Sequence, residues 1–169
     1  MASNRFTENH LIVPGAVSGG LDYNAGGDLD SVNMAKYNHL TLILIGDASV
    51  AGDGVLTMYG GLTDGSKTAA CGFTYRYSSG NAGAASADVL GTAATVSAGS
   101  TLTITGASLA SRMLIIEMDA SDMVVSGTQY QYVTPSLSSA GTAGTCTGIF
   151  ILSEPRYAEA VMPTAIPTT

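Results

Sequence analysis

The stretch at residues 37–45, YNHLTLILI, decides the fold class of this chain. It is rich in apolar and β-branched residues and is followed by a Gly-Asp pair, a pattern typical of a mostly buried strand. The next apolar run, GVLTMYGG at residues 54–61, alternates its side chains between two faces. Asp53-Gly54 in front of it predicts a tight hairpin turn. The centre of the chain is therefore predicted to be β-structure.

Six further stretches have the same texture of short apolar or β-branched runs separated by Gly, Asp and Ser. They are residues 68–77, 89–96, 100–105, 113–118, 129–135 and 145–152. A helical period of 3.6 residues is not sustained anywhere over four turns, and only a short helical turn is predicted, at residues 120–123. The sequence therefore predicts an all-β protein, an antiparallel β-sandwich that is jelly-roll-like and has about eight strands.

The length of 169 residues is sufficient for one such domain. Residues 1–35 carry no sustained hydrophobic period, because Pro14 and Gly15 interrupt an apolar run and DYNAGGDLD is rich in turn-forming residues. We therefore expect an extended N-terminal arm at residues 1–35, a β-sandwich domain at residues 36–157 and a C-terminal tail at residues 158–169.

Small residues dominate the composition: Gly, Ala, Ser and Thr make up 81 of the 169 residues, and charged residues only 11%. A hydrophobic fraction of 46% excludes bulk disorder. The net charge is −7 and the six cations are dispersed, which disfavours nucleic acid as a partner because phosphates require clustered cations. The apolar runs are too short to span a membrane, and the N-terminus lacks a secretory pattern. We therefore expect synthesis in the cytoplasm and no membrane partner.

The two cysteines, Cys71 and Cys146, lie in strand-like segments, and neither has a nearby Cys or His for a metal pair. A disulfide between them remains an alternative, and two reduced core cysteines are the favoured interpretation. The acidic residues Asp22, Asp28 and Asp30 lack the spacing of a calcium loop. No metal and no cofactor is therefore expected.

Catalytic signatures are equally sparse. The chain has two histidines and no G-x-S-x-G motif. Glu117 and Asp119 share one face of a predicted strand, which is one way to present paired carboxylates, but they close an apolar run and a structural role is favoured. His39 is predicted to be a structural residue at a sheet edge. No catalytic residue is assigned, and the chain is not expected to be an enzyme.

The polar faces of the predicted strands carry Thr, Ser and Ala in place of Lys and Glu, so that burying them costs little conformational entropy. Lys and Glu are depleted at protein interfaces, whereas Tyr, Met, Phe and Arg are enriched. This surface therefore suits docking against neighbouring proteins. The candidate interface residues, all in the terminal segments, are Arg5, Phe6, Arg156, Tyr157 and Met162.

Several stretches together resemble the head decoration, or cement, proteins of tailed bacteriophages. They are SNRF at residues 3–6, KYNHLT at 36–41, IEMDA at 116–120, ILSEPRY at 151–157 and PTAI at 163–166. The resemblance implies a non-enzymatic component on the exterior of the virion capsid, assembled in the host cytoplasm. Its implied partners are the major capsid protein, whose capsomers it would clamp, and further copies of itself in a dimer or trimer.

A competing interpretation is a carbohydrate- or receptor-binding β-sandwich of a phage fibre or tail tip. Such a protein needs a concave aromatic patch, and the available cluster is Tyr75, Tyr77, Tyr130 and Tyr132. The absence of Trp argues mildly against sugar stacking. A hydrolase on a jelly-roll scaffold, the third class, is supported only by scattered Ser and Asp.

Overall fold

The computed structural model describes residues 6–16, 20–141, 143–156 and 165–166. These residues form fifteen strands, which are β1 (Leu11–Pro14), β2 (Leu21–Asp22), β3 (Gly27–Asp28), β4 (Val32–Asn33), β5 (Tyr37–Gly46), β6 (Gly54–Gly61), β7 (Ala69–Ala70), β8 (Phe73–Tyr77), β9 (Ala94–Val96), β10 (Leu102–Ile104), β11 (Met113–Asp119), β12 (Val124–Val125), β13 (Thr128–Gln129), β14 (Tyr132–Leu137) and β15 (Thr145–Pro155). The helical elements are α1 (Phe6–Asn9), α2 (Gly106–Leu109) and a 3-10 helix at Ala120–Met123. No helix of the described residues is long and apolar enough to cross a membrane.

Two antiparallel sheets make up the body of the protein. The seven-stranded sheet has the order β1-β15-β5-β11-β8-β9, with β2 also paired to β15. The six-stranded sheet has the order β10-β6-β14-β3, with β4 on β14 and β7 on β6. β12 and β13 form a separate hairpin. The predicted all-β, antiparallel architecture is confirmed.

The two sheets share one hydrophobic core, as in a β-sandwich. The long central strand β5 contributes Leu40, Leu42 and Leu44 to it by strict alternation, and β6 contributes Leu56 and Met58 from the other sheet. Each fully buried aliphatic side chain of this kind stabilises the folded state by about 1.5–3 kcal/mol. Along β5, the side chains that alternate in the sequence therefore point alternately into the core and toward the exterior.

The eight predicted strands all contain β-structure, and the 3-10 helix confirms the helical turn predicted at residues 120–123. The run at 68–77 is divided, because β7 pairs with β6 whereas β8 pairs with β11, so that the chain changes sheets at Cys71-Gly72. The expected hairpin turn at Asp53-Gly54 is wrong. β5 and β6 belong to different sheets, and the segment between them connects one sheet to the other.

The interpretation of residues 1–35 as an extended arm is wrong for much of the described segment. Tyr23, Val32 and Met34 are at most 1% exposed and belong to the core. β1 and β2 extend the seven-stranded sheet, and β3 and β4 extend the six-stranded one. In the tail, Ala165 is buried and its carbonyl accepts a hydrogen bond from the Asn33 N–H. The core therefore extends beyond residues 36–157 at both ends.

Candidate interaction surfaces

The outer face of the seven-stranded sheet is unusually apolar. On β5 the inward leucines alternate with outward His39, Thr41, Ile43 and Ile45. The neighbouring strands place aliphatic side chains beside them, because the strand register aligns outward positions with one another. We call the following eight outward residues the aliphatic face: Ile12, Pro14, Ile43, Ile45, Met113, Ile115, Ile149 and Ile151.

The register makes the aliphatic face continuous across four strands. Pro14 of β1 lies opposite Ile149 of β15, Ile149 lies opposite Ile43 of β5, and Ile43 lies opposite Ile115 of β11. This row crosses three strand spacings of about 4.8 Å each. Side chains directly opposite one another on an antiparallel pair are in contact range. The row therefore forms a single apolar strip on the exterior.

Charged and polar residues border the aliphatic face. Arg76 of β8 lies opposite Ile115, and Glu117 lies two residues further along β11. At the end of the face away from Glu117, Ile45 and Met113 line a cavity of about 210 Å³ together with Arg112 and with Ala82 and Ala87 of the loop after β8. The face thus has an uncharged centre, a charged border and an apolar notch at one corner.

His39 is not at a sheet edge, which corrects the sequence-based prediction, because β5 lies between β15 and β11. Its Nδ1 is 2.8 Å from Asp119 Oδ1, directly opposite in register, and its Nε2 is 3.3 Å from Thr41 Oγ1. In the tautomer that carries its proton on Nδ1, the ring donates to the Asp119 carboxylate and its Nε2 accepts from the Thr41 hydroxyl.

Carboxylate, imidazole and hydroxyl thus stand in the order of a hydrolase triad. Acyl transfer also requires N–H donors aimed at a developing oxyanion. At this position both neighbouring strands pair with β5, so that its backbone N–H groups belong to the sheet ladders. The N–H groups of β5 are therefore engaged in the sheet, and the Asp119–His39 hydrogen bond links β11 to β5.

Glu117 and Asp119 do share a face, and with His39 and Asp122 they line a shallow cavity of about 220 Å³. Asp119 also caps the 3-10 helix, since its backbone N–H donates to Asp122 Oδ2 at 2.8 Å and its side chain accepts in return. Among the described residues no group of three or more His, Cys, Asp or Glu side chains is placed to hold a metal ion. The Asp119 and Asp122 carboxylates are thus engaged in hydrogen bonds of the strand pair and of the 3-10 helix.

The three aspartates considered for calcium are each engaged locally. Asp22 Oδ1 accepts from the Asn24 N–H, and Asp30 Oδ1 accepts from the Ser31 N–H. Asp28 forms an ion pair with Lys67 at 2.9 Å. Burial raises the pKa of Asp28, but the hydrogen bonds from Ser136 and Lys67 outweigh this and lower it. Asp28 and Asp30 line an open groove of about 650 Å³ that no sequence pattern indicated.

Of the predicted interface residues, Phe6 and Arg156 lie within the described part of the chain, and Arg5, Tyr157 and Met162 lie outside it. Phe6 is 52% exposed and stacks on His10 with ring centroids 4.0 Å apart. Arg156 is exposed, and its backbone N–H donates to the Lys36 carbonyl. Because α1 contacts β15, the structure brings Phe6 and Arg156 to the same end of the seven-stranded sheet. We call this pair the anchor end.

The four tyrosines of the competing interpretation do not form one patch. Tyr75 and Tyr77 pack edge to face against each other and against the core, and burial raises the pKa of Tyr77 well above its usual value. Tyr130 is 8% exposed. Tyr132 alternates with the buried Val133 and therefore faces outward from the six-stranded sheet.

The aliphatic face is a feature that the sequence analysis did not predict. Its signal was present, because ILI within 43–45, MLII at 113–116 and IFIL at 149–152 are apolar at both odd and even positions. Such runs predict strands with two apolar faces.

No protein-family model matches the chain, and no curated protein matches it significantly.

Proposed function

We propose that this chain is a non-enzymatic structural protein of a tailed-phage virion that decorates the capsid exterior and stabilises contacts between capsomers. Its partners in this proposal are the major capsid protein and further copies of itself, and assembly takes place in the host cytoplasm. The resemblance of five sequence stretches to head decoration proteins is one support. The geometry of the anchor end is the other.

The observation that carries the proposal is the common location of Phe6 and Arg156. Aromatic residues and Arg are enriched at interface cores. Here an exposed Phe and an exposed Arg from opposite ends of the sequence lie at one end of a rigid sheet. One neighbouring surface can therefore contact both at once.

The low charge of the surface supports attachment without ion pairs. Six cations in 169 residues cannot supply many salt bridges, and exposed pairs contribute only about 0–1 kcal/mol each. Apolar burial, at about 25 cal/mol per Å², is the main remaining source of affinity.

A finer description of the fold belongs to this proposal. Among the longer strands the first pairs with the last (β5 with β15), the second with the second-last (β6 with β14) and the third with the third-last (β8 with β11). Nested pairing of this kind supports a jelly-roll-like arrangement. The part of the N-terminal segment before β1 remains the candidate arm, because α1 buries none of its residues.

The test is to titrate purified protein onto undecorated heads of a tailed phage. We expect the double variant Phe6→Ala/Arg156→Ala to stay folded and to bind at least tenfold more weakly. The matched control is Leu62→Ala, because Leu62 is 56% exposed but lies in the turn after β6 on the other sheet. Deleting residues 1–9 should also weaken binding without unfolding the protein.

Salt provides a second readout. Binding should persist from about 0.05 to 1 M NaCl, because screening acts on charges and leaves apolar contacts intact. Unchanged binding by the double variant would overturn the role of the anchor end. Absence of binding to heads, together with binding to glycans or host cells, would replace the proposal with the tail-tip alternative.

A further inference from the structure

We propose that the aliphatic face is the surface through which two copies of this chain contact each other. The inference deepens the proposed function and rests on it only for the expectation of a homo-oligomer. It assigns that self-contact to the outer face of the seven-stranded sheet.

The aliphatic face has the composition of an interior. An antiparallel sheet with one solvated face normally alternates apolar inward residues with polar outward ones. In the middle of this sheet, Ile43, Ile115 and Ile149 occupy outward positions side by side. Ile12 and Ile45 are 47% and 41% exposed. Contiguous exposed apolar surface of this kind marks a protein contact.

The outer face of the whole seven-stranded sheet, of which the aliphatic face is the apolar part, has the area that a stable dimer needs. The six strands in the order β1-β15-β5-β11-β8-β9 are spaced about 4.8 Å apart and average about seven residues at about 3.3 Å each, so that together they cover roughly 650 Å². Two copies would together bury about 1,300 Å², within the range of about 1,200–2,000 Å² for specific interfaces. Two sheets packed face to face in this way reproduce the geometry of a β-sandwich.

The charges around the face are self-complementary. In a two-fold symmetric dimer both copies use the same surface. A residue on one border of that surface therefore faces a residue on a different border of the other copy. Arg76 lies on one border and Glu117 on the adjacent one, and a two-fold axis between them brings the Arg76 of each copy toward the Glu117 of the other. The centre carries no charge, and its burial therefore requires no ion to be desolvated.

The notch at the corner of the face provides a receptacle. It has a volume of about 210 Å³ and is lined mainly by Ile45, Met113, Ala82 and Ala87, with Arg112 and two serines beside them. The same loop exposes Val89, which is 52% accessible and available to contact the opposing copy. We therefore expect side chains of one copy to enter the notch of the other copy, while the centres of the two faces pack flat against each other.

Sedimentation equilibrium of the purified chain tests the proposal without any phage component. We expect a monomer–dimer equilibrium with a dissociation constant no weaker than the micromolar range of interfaces of this size. Each copy carries a net charge of −7, so that salt should strengthen the dimer by screening the repulsion. Ile45→Lys should weaken dimerisation at least tenfold. Val124→Lys is the matched control, because Val124 is 47% exposed on β12, outside the face.

A labelling experiment detects the surface even if a lysine variant fails to fold. Thr147→Cys places a thiol on the outer face, and Thr128→Cys places one on the exposed hairpin. Both native cysteines are buried, so that a maleimide reports on the introduced thiols. Labelling of Thr147→Cys should slow at least threefold as protein concentration rises, whereas labelling of Thr128→Cys should not.

Three results would overturn the proposal. The first is a wild-type chain that stays monomeric up to about 100 μM, above the micromolar range of such interfaces. The second is a trimer, because a face-to-face two-fold contact closes with two copies. The third is an equal weakening of dimerisation by Ile45→Lys and by the control Val124→Lys. None of these experiments uses phage heads. They therefore do not decide the proposed function, which the titration onto undecorated heads tests separately.

Discussion

The hydroxyl of Tyr23 donates a hydrogen bond of 3.1 Å to the carbonyl oxygen of Ile104, 81 residues further along the chain. The same hydroxyl accepts a bond of 3.0 Å from the Gly54 N–H. Tyr23 thereby joins the N-terminal segment to the β6–β10 pair, in which Gly54 and Ile104 are register partners. An added Cβ at Gly54 would lie 2.9 Å from this hydroxyl, so that glycine is needed for the close approach.

Replacing Tyr23 with Phe should lower the free energy of unfolding by about 1–3 kcal/mol, the cost of leaving buried polar groups without a partner. Urea denaturation measures this directly. Tyr132→Phe, on the outer face of the six-stranded sheet, is the control and should change stability by less than about 0.5 kcal/mol. Equal effects of the two substitutions would show that the Tyr23 bonds contribute nothing specific.

Asp47 should make stability depend on pH in the acid range. The Thr145 and Ser49 hydroxyls donate to its carboxylate at 2.6 and 2.7 Å, with further bonds from their backbone N–H groups, and these hydrogen bonds lower the pKa of Asp47 to about 2. A lowered pKa means that the folded state favours the ionised carboxylate. The resulting stability is fully present above the ordinary value of 3.8 and is lost as the pH falls toward 2.

Asp47→Asn should accordingly destabilise the protein by about 1 kcal/mol at pH 7, at the low end for charged hydrogen bonds because the loop is solvent-accessible. The difference from wild type should shrink between pH 4 and pH 2. Denaturant titrations at several pH values, with Asp64→Asn in the exposed turn after β6 as control, test this. A difference that stays constant down to pH 2 would contradict the assignment.

Cys71 and Cys146 should be chemically inert in the folded protein. Both are free and buried, and burial raises the pKa of each thiol to about 11 from an ordinary value of 9.0. Because the thiolate is the reactive form, a thiol reagent at pH 8 should modify neither until denaturant is added. A raised pKa also means that their contribution to stability is complete below pH 9 and is lost as pH rises toward 11. Rapid native labelling would contradict both statements.

Gly46→Ala should destabilise the protein by about 1–3 kcal/mol, the usual range for overpacking. A Cβ at Gly46 would overlap the backbone carbonyl of Leu109, which cannot move without displacing α2. Gly91→Ala is the matched control, since its Cβ would make only an ordinary contact with the Tyr77 carbonyl at 3.4 Å. Thermal unfolding should separate the two variants by several degrees for a domain of this size.

The strands that sequence reasoning predicted best are those with the clearest alternation. β5, β11 and β15 each show a buried residue at every second position, and the predicted runs coincide with them. The division of residues 68–77 between two sheets was not predictable, because alternation continues through Cys71 and Phe73 while the pairing partner changes from β6 to β11. The alternation of side chains between two faces is visible in the local sequence. The sheet that a strand joins depends instead on strands far away in the sequence.

The N-terminal segment shows the same limit. β2, β3 and β4 are two residues long, too short to carry a hydrophobic period. Their conformation is stabilised by β14 and β15, more than 90 residues away along the chain. A turn-rich sequence was therefore interpreted as an arm, although Tyr23 and Met34 are buried in the core.

By itself, the sequence determined the fold class, the inward faces of the long strands and the low charge of the surface, because alternation and composition act locally. Only the tertiary structure decided which strands lie side by side and so which of their outward side chains are neighbours. The aliphatic face combines residues 11–14, 37–46, 113–119 and 145–155, and long-range register places Ile43, Ile115 and Ile149 in one row. The anchor end likewise exists only because β1 and β15 are antiparallel neighbours, so that residues 150 positions apart meet at one edge.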